Sequence, residues 1–140
     1  MRVKNYTPLD DSYLRKLASA TKPERCTGIN VIFKNSTWRS HVAGRGGHKV
    51  LIHIPADDRW GPFPFVYNNH NEAGAYLPVP VYTREEELVH VLAHEWRHVW
   101  QTLVPSGWRV WGARGQYSER DADAYGLQML RRYRRGELKL

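Results

Sequence analysis

The sequence predicts an α+β fold, in which a small mixed sheet of three to four strands packs on a long central helix. A further helix is expected before the sheet and another at the C-terminal end. The first half of the chain contains short β-branched segments bounded by Gly or Pro, which are typical of strands. The second half contains two apolar-periodic stretches with capping signals, which are typical of helices. A length of 140 residues fits one hydrophobic core, so residues 1–140 are predicted to form a single domain.

The first predicted helix begins at Asp10 or Asp11, either of which is a suitable N-cap, and continues to Ala20 before Pro23. Its apolar stripe consists of Tyr13, Leu14 and Leu17. Strands are predicted at residues 29–33 and 50–54, with a third at 38–42. The glycine-rich residues 44–47 lack the lysine and hydroxyl of a phosphate-binding loop and are predicted to form a hairpin turn.

Residues 55–80 are rich in Pro, Gly, Asn and aromatic side chains, and they predict a long ordered loop. One further strand is expected near residues 76–81. Loops of this length in small domains are often functional, so this segment is expected to line a cleft or to cover a sheet edge.

The central helix is predicted to begin with a capping box, in which Thr83 is the cap and the Glu86 side chain reaches back. It continues for about 20 residues to Val104, where Pro105 and Gly107 end it. One side carries the apolar residues Leu88, Val91, Leu92, Val99 and Leu103.

The last helix is predicted to begin at Ser118 as its cap and to end at Gly136. Its apolar face consists of Ala122, Tyr125, Gly126, Met129, Leu130 and Tyr133. Four arginines in its final turn suit the negative end of the helix dipole: Arg131, Arg132, Arg134 and Arg135.

Composition restricts the environment and the partners. A formal charge of +7 predicts attraction to anionic partners, but nucleic-acid binding is not predicted because no recognition motif accompanies the charge. Cys26 is the only cysteine, which excludes an internal disulfide and fits a reducing compartment. Without a signal-peptide pattern or a long apolar run, the chain is expected to be cytoplasmic and not membrane-bound.

The central helix contains His94-Glu95-Trp96-Arg97-His98, the pattern HExxH. Residues four apart in a helix lie about 6 Å apart and are offset by about 40°, so both imidazoles can reach one ion. Glu95 is displaced by about 100° from His94 and can act on a water without binding the metal. Random placement produces this pattern in roughly 2% of chains with this many His and Glu residues, so its context matters.

The context supports a metal site. Two histidines and a glutamate in a buried helix are costly without partners, and a metal ion removes that cost. The following helix begins with Glu119, which offers a third ligand, and has Asp123 one turn later on the same face. Asp123 is expected to hydrogen-bond the second ring nitrogen of a ligating histidine, His94 above all. Asp123 as the ligand in place of Glu119 is the alternative.

These residues resemble the active-site signature of the gluzincins, the zinc metallopeptidases that include the thermolysin-like enzymes. The signature is HExxH followed by a helix with glutamate and, four residues later, aspartate; His94, Glu95, His98, Glu119 and Asp123 match it. The match covers about residues 83–135. A metzincin would instead have Gly and His at the positions of Gln101 and Val104.

The resemblance implies a zincin-like fold and a Zn²⁺ cofactor bound by His94, His98 and Glu119, with a protein or peptide as substrate. Glu95 would be the general base for hydrolysis of a peptide bond. Zincins usually bind substrate along an exposed sheet edge, for which residues 49–54 are the candidate. The alternative is a zincin-fold binding or regulatory module that docks nucleic acid or an acidic protein through its basic surface.

The remaining histidines have no ligand spacing among themselves. His90 precedes His94 by one turn, but it would lie about 12 Å from His98 along the helix axis, too far to share an ion. It is expected on a helix face at the edge of the cleft. The residue that stabilises the oxyanion stays open among six candidates: His41, His48, His53, His70, Tyr117 and Tyr125.

Overall fold

The structure, a computed structural model, describes residues 1–44, 48–54, 62–70, 76–104 and 116–140. Within these ranges the helices are α1 (Asp11–Thr21), α2 (Arg84–Leu103) and α3 (Gln116–Arg134). The strands are β1 (Arg2–Asn5), β2 (Asn30–Asn35), β3 (His41–Ala43), β4 (Lys49–Ile54), β5 (Phe65–His70) and β6 (Tyr76–Val81). The predicted α+β class, with a mixed sheet and three helices, is therefore confirmed.

The main sheet has the strand order β1-β2-β4-β3, and a second sheet consists of β5 and β6. Strands β1, β2 and β4 run parallel, whereas β3 pairs with β4 in antiparallel orientation. The prediction that residues 49–54 form the exposed edge is wrong, because β4 lies between β2 and β3. The edge strand on this side is β3.

Two strands were not predicted. Strand β1 has the sequence RVKN, with a single apolar residue, and it forms because β2 supplies a parallel backbone partner. Strand β5 lies within residues 55–80, where a loop is predicted, and it pairs with β6 from Phe65↔Val81 to His70↔Tyr76. Its consecutive asparagines disfavour a strand by propensity, so antiparallel pairing overrides the local signal. Strand β6 itself is confirmed, and residues 55–61 and 71–75 of the predicted loop lie outside the described residues.

Helix α1 is confirmed with Asp10 as its N-cap, whose carboxylate accepts a hydrogen bond from the Tyr13 amide at 2.8 Å. Its apolar stripe is buried through Leu14 and Leu17. The indole of Trp96 on α2 donates to the Ala18 carbonyl at 3.0 Å, which links α1 to the central helix.

The core lies between α2 and the main sheet. The sheet contributes fully buried apolar side chains: Val31, Phe33, Val50, Ile52 and Ile54. Helix α2 contributes Leu88, Leu92, Trp96 and Val99, which recur at helical spacing and face the sheet and α1. The long central helix is thus held between the sheet on one side and α3 on the other.

The N-terminus of α2 has half of the predicted capping box. The Thr83 hydroxyl accepts from the Glu86 amide at 3.1 Å, as predicted. The Glu86 carboxylate, however, accepts from the Tyr82 amide at 3.4 Å and pairs with Arg134 of α3 at 2.9 Å. Glu86 is only 5% exposed, so leaving its charge without a cation would cost more free energy than leaving the cap amide without the Glu86 side chain.

Helix α3 begins at Gln116, so the prediction of Ser118 as its cap is wrong. Ser118 is a buried helical residue whose hydroxyl donates to the Gln101 side chain at 2.8 Å. The stop at Gly136 is confirmed: its φ is +71°, and the amides of Gly136 and Glu137 donate back to the carbonyls of Tyr133 and Arg132.

Other predictions fall outside the described residues, namely the turn at 45–47 and the helix stop at Pro105 and Gly107. Helix α2 itself ends at Leu103 with Val104 as its C-cap, in agreement with the prediction. The third strand of the sheet is shorter than predicted and shifted toward the C-terminus, at His41–Ala43. A search of the described helices for a segment long and apolar enough to cross a membrane finds none.

Candidate metal centre

Three electron-pair donors converge where α2 packs against the first turns of α3. The Nε2 atoms of His94 and His98 lie 3.1 Å apart. Glu119 places one carboxylate oxygen 3.3 Å from His94 Nε2 and the other 3.1 Å from His98 Nε2. Among the described residues, His94, His98 and Glu119 form the group of His, Cys, Asp or Glu side chains whose donor atoms lie close enough together to hold a metal ion.

The spacing of these donors fits a small divalent cation. Zinc binds imidazole nitrogen and carboxylate oxygen at about 2.0–2.1 Å, and neighbouring corners of a tetrahedron of that radius are about 3.3 Å apart. The 3.1 Å separation of the two imidazole nitrogens is close to that value, and with one donor atom taken from each residue the three donors lie within 4.8 Å of one another. The chain therefore contains a possible metal-binding triad of His94, His98 and Glu119.

The two histidines reach this point for one structural reason and Glu119 for another. The two histidines are four residues apart in α2, so they project from the same helix face. Glu119 lies in the first turn of α3, and its position depends on how α3 packs against α2. The packing is close at Gly126, where an added Cβ would lie 3.2 Å from the His90 carbonyl oxygen.

The outer nitrogens of both imidazoles have hydrogen-bonding partners. His94 Nδ1 lies 3.0 Å from an Asp123 carboxylate oxygen. His98 Nδ1 lies 3.0 Å from the Gln101 carbonyl oxygen and 3.1 Å from the Ser118 hydroxyl. With acceptors at Nδ1, each ring is assigned the tautomer that leaves the Nε2 lone pair free for a metal.

Gln101 and Ser118 were not predicted as site residues. The Gln101 side chain also donates to Asp121 at 2.9 Å, and Arg97 donates to the same carboxylate at 2.7 Å. A network of polar side chains therefore holds His98 at the Nδ1 side of its ring. Gln101 was detectable in the sequence, because a residue three positions after His98 shares its helix face, whereas the position of Ser118 depends on the register of α3.

The side chains of the triad strongly shift one another's pKa values. Burial disfavours the charged form of His94, but the carboxylates of Asp123 and Glu119 outweigh it and raise the pKa of His94 to about 10. Hydrogen bonds from His94 and His98 hold the pKa of Glu119 well below its usual range. This cluster attracts positive charge, and a divalent cation would replace the shared protons.

Glu95 lies beside the triad and is only 8% exposed. Burial raises the pKa of its carboxyl group, although the neighbouring His94 and His98 oppose that rise. It lines a cavity of about 380 Å³ together with His94 and Asp123. A carboxyl group with a raised pKa at the wall of a cavity suits proton transfer.

The cavity continues along α2 away from the triad. Its wall is formed by α2 residues including Glu87 and His90, by Tyr67 and Asn69 of β5, and by His53 of β4. The residues before β3 complete it: Trp38, Arg39 and Ser40. The predicted loop region thus lines the cleft in part, through β5.

The remaining histidines occupy different surroundings. His90 is buried, its Nε2 lies 2.9 Å from the Asn69 amide nitrogen, and its ring stacks on Tyr67. It therefore lies in the cavity wall. His53 also lines the cavity and stacks on His41, with ring centroids 5.6 Å apart. His48 is exposed.

Of the six candidates for oxyanion stabilisation, Tyr125 is directed elsewhere, and Tyr117 and His48 lie on the surface. The Tyr125 hydroxyl donates to the Thr21 carbonyl at 2.6 Å, on the α1 side of the core. Tyr117 is 66% exposed. The side chain of His70 lies outside the described part of the structure. His53 is the candidate that lines the cavity beside Glu95, and His41 is stacked on it.

No family model, curated protein or solved structure matches this chain. Similarity to a known protein therefore gives no indication of the activity, and the function has to be argued from the site.

Proposed function

We propose that this chain is a zinc-dependent peptidase in which His94, His98 and Glu119 bind the metal and Glu95 is the general base. The observation that carries the proposal is the convergence of three donor atoms, one from each residue, within 4.8 Å of one another, with a buried carboxyl group and a cavity beside them. The HExxH spacing and the gluzincin resemblance support the same assignment.

The ligand set favours zinc and an open coordination site. Two imidazoles and one carboxylate are a set that zinc binds in catalytic sites, where a fourth position stays open. The Glu119 side chain is 53% exposed, so the site is accessible from solvent. Among the described residues, the donor group consists of these three side chains only. A structural zinc site would have four protein ligands.

The chain's own residues account for the proton transfers. A Zn²⁺ ion bound by the triad supplies a Lewis acid that acidifies water and polarises a carbonyl group. The Glu95 carboxylate accepts the proton from the attacking water and later delivers it to the leaving amine. Asp123 and Gln101 hold the two imidazoles in the tautomer and orientation that metal binding requires.

An extended peptide has a suitable place to bind. Strand β3 is one edge of the main sheet in the described structure, and it contacts α2, which carries the two histidines of the triad and Glu95. A peptide added alongside β3 would gain backbone hydrogen bonds and bring its carbonyl groups past Glu95. The residues leading into β3 already line the cavity.

The first experiment compares wild type with Glu95→Gln. Zinc content is measured on purified protein, and cleavage of a denatured protein substrate is followed by mass spectrometry. Wild type is expected to contain one zinc and to cleave the substrate. Glu95→Gln should retain zinc and the circular-dichroism spectrum but lose activity by about 10²–10⁴-fold, the typical contribution of a general base. Equal activity in both proteins would refute the role of Glu95.

The second experiment separates ligand from support. Glu119→Ala should abolish stoichiometric zinc binding, because it removes one of three ligands. Asp123→Ala should bind zinc about 10–100-fold more weakly, as expected for a residue that only orients a ligating histidine. The opposite order would make Asp123 the ligand. Zinc bound without cleavage of any peptide would favour the binding module over the peptidase.

A further inference from the structure

In the wall of the cavity beside the triad lies a carboxylate that has no cationic partner among the described residues. Glu87 is part of α2, and one of its oxygens accepts from the Tyr67 hydroxyl at 3.2 Å. The other oxygen is buried and has no hydrogen-bond partner in the structure. Burial raises the pKa of Glu87, and the one opposing effect is the hydrogen bond from Tyr67. An unpaired buried carboxylate oxygen is costly, so a rotation of the Glu87 carboxylate that brings this oxygen to a group bound in the cavity would gain affinity there.

Glu87 is placed to act together with the triad. It precedes His94 by seven residues, or two helical turns, so both side chains share one face of α2 and lie about 10 Å apart along its axis. Both line the same cavity. A long side chain could therefore reach Glu87 from a peptide backbone held at the triad.

The rest of the cavity is compatible with a cation. Among the described residues, its charged lining consists of three carboxylates, Glu87, Glu95 and Asp123, and the guanidinium of exposed Arg39. Both ring nitrogens of His53 are buried without a hydrogen-bond partner. Burial lowers the pKa of His53, so its ring adds no positive charge to the cavity wall at neutral pH.

The mouth of the cavity favours a side chain with a long aliphatic stem. Trp38 lines the cavity and is 77% exposed, so it can cover the methylene groups of a bound lysine. Basic residues are plentiful in this chain, which has 21 Lys and Arg and a charge of +7. A shortage of basic side chains therefore does not explain why Glu87 is unpaired among the described residues.

We propose that this cavity is a specificity pocket that selects a basic side chain, Lys or Arg, next to the bond that is cleaved, with Glu87 as its counter-ion. The inference rests on the proposed peptidase function. It adds the class of substrate, because a pocket that contains an unpaired carboxylate discriminates strongly against side chains that leave it unpaired.

The test uses two short alanine-based peptides with blocked termini that differ only in one central residue, lysine or norleucine, which has the same stem without the charge. Wild type is expected to cleave the lysine peptide with a kcat/KM about tenfold or more above that of the norleucine peptide. Glu87→Gln should abolish this preference. The matched control Glu24→Gln removes the same charge from an exposed site and should retain it.

A binding measurement keeps the inference testable without catalysis. Calorimetry on zinc-loaded Glu95→Gln should show about tenfold or tighter binding of the lysine peptide than of the norleucine peptide. With Glu95→Gln folded and zinc-loaded, equal affinities, or binding of neither peptide, would overturn the pocket assignment. A lysine preference in binding with no cleavage by wild type would overturn the peptidase function alone. Cleavage of both peptides at equal rates would overturn the pocket and leave the peptidase function standing.

Discussion

His90 is a titratable side chain that the fold keeps out of water. It is 4% exposed, and burial lowers its pKa to about 4. Its Nε2 atom and the Asn69 amide nitrogen lie 2.9 Å apart, which fits a neutral imidazole accepting a hydrogen bond. This arrangement depends on the imidazole remaining uncharged.

The buried imidazole makes stability depend on pH. The unfolded histidine has a pKa near 6.5, so between about pH 6.5 and pH 4 the unfolded chain binds the extra proton. The free energy of unfolding therefore falls as the pH is lowered through this window and is unaffected above it. From pH 7 to pH 5, we expect wild type to lose about 2 kcal/mol more than His90→Gln.

Urea unfolding in the presence of a chelator measures this difference, since the triad then contributes equally to both proteins. Parallel pH dependences in wild type and His90→Gln would show that His90 is protonated in the folded protein as easily as in the unfolded chain.

At the scale of secondary-structure elements, the metal site depends on the distance between α2 and α3. Two of the candidate ligands come from α2 and one from α3, and the helices approach closely at Gly126. A Cβ added there would lie 3.2 Å from the His90 carbonyl oxygen and 3.3 Å from His90 Nε2. These contacts are tighter than most Cβ contacts in proteins, so the His90 backbone and ring, or α3 itself, would have to move by a few tenths of an ångström.

Gly126→Ala is therefore expected to lower the free energy of unfolding by about 1–3 kcal/mol, as overpacking does. It should also weaken zinc binding, because Glu119 moves with α3 relative to the histidines. Urea unfolding and competition with a zinc chelator measure the two effects. Gln128→Ala changes an exposed position on the same helix and should alter stability by less than about 0.5 kcal/mol. A fully stable Gly126→Ala with wild-type zinc affinity would contradict the close packing.

The elements themselves differ in how far they were predictable. Helices α1 and α2 carry their caps and their apolar periodicity locally, so Asp10 and Thr83 identify where they begin. The start of α3 was predicted too late in the chain, because Ser118, a buried helical serine that bonds to another helix, resembles a cap in the sequence. Strands β1 and β5 were missed because their stability comes from pairing with β2 and β6.

For the whole molecule, a metal ion at the triad would act as a cross-link between α2 and α3. Zinc binds the folded protein, in which the donors converge, and stabilises it by about 2.7 kcal/mol at a free concentration 100 times the Kd. For a domain of this size, we expect the Tm to rise by about 10 °C. The rise should be reversed by a chelator and be smaller at pH 5 than at pH 7.5, because protons compete for the imidazoles.

Differential scanning calorimetry with and without zinc measures this shift. Glu119→Ala is the control and should show little response to zinc, since its donor set is incomplete. A wild-type Tm that is the same in zinc and in chelator would contradict the metal site as a whole.

The sequence by itself determined the features that depend on neighbours within about four residues. Helix geometry, which every sequence obeys in the same way, accounts for the spacing of His94 and His98 and for the place of Glu95 between them. It also accounts for the caps of α1 and α2. Tertiary structure alone decided that Glu119 meets both imidazoles, that β3 and not β4 forms the sheet edge, and that Glu87 faces the cavity. These depend on strand pairing and helix packing between distant parts of the chain, for which local periodicity carries no signal.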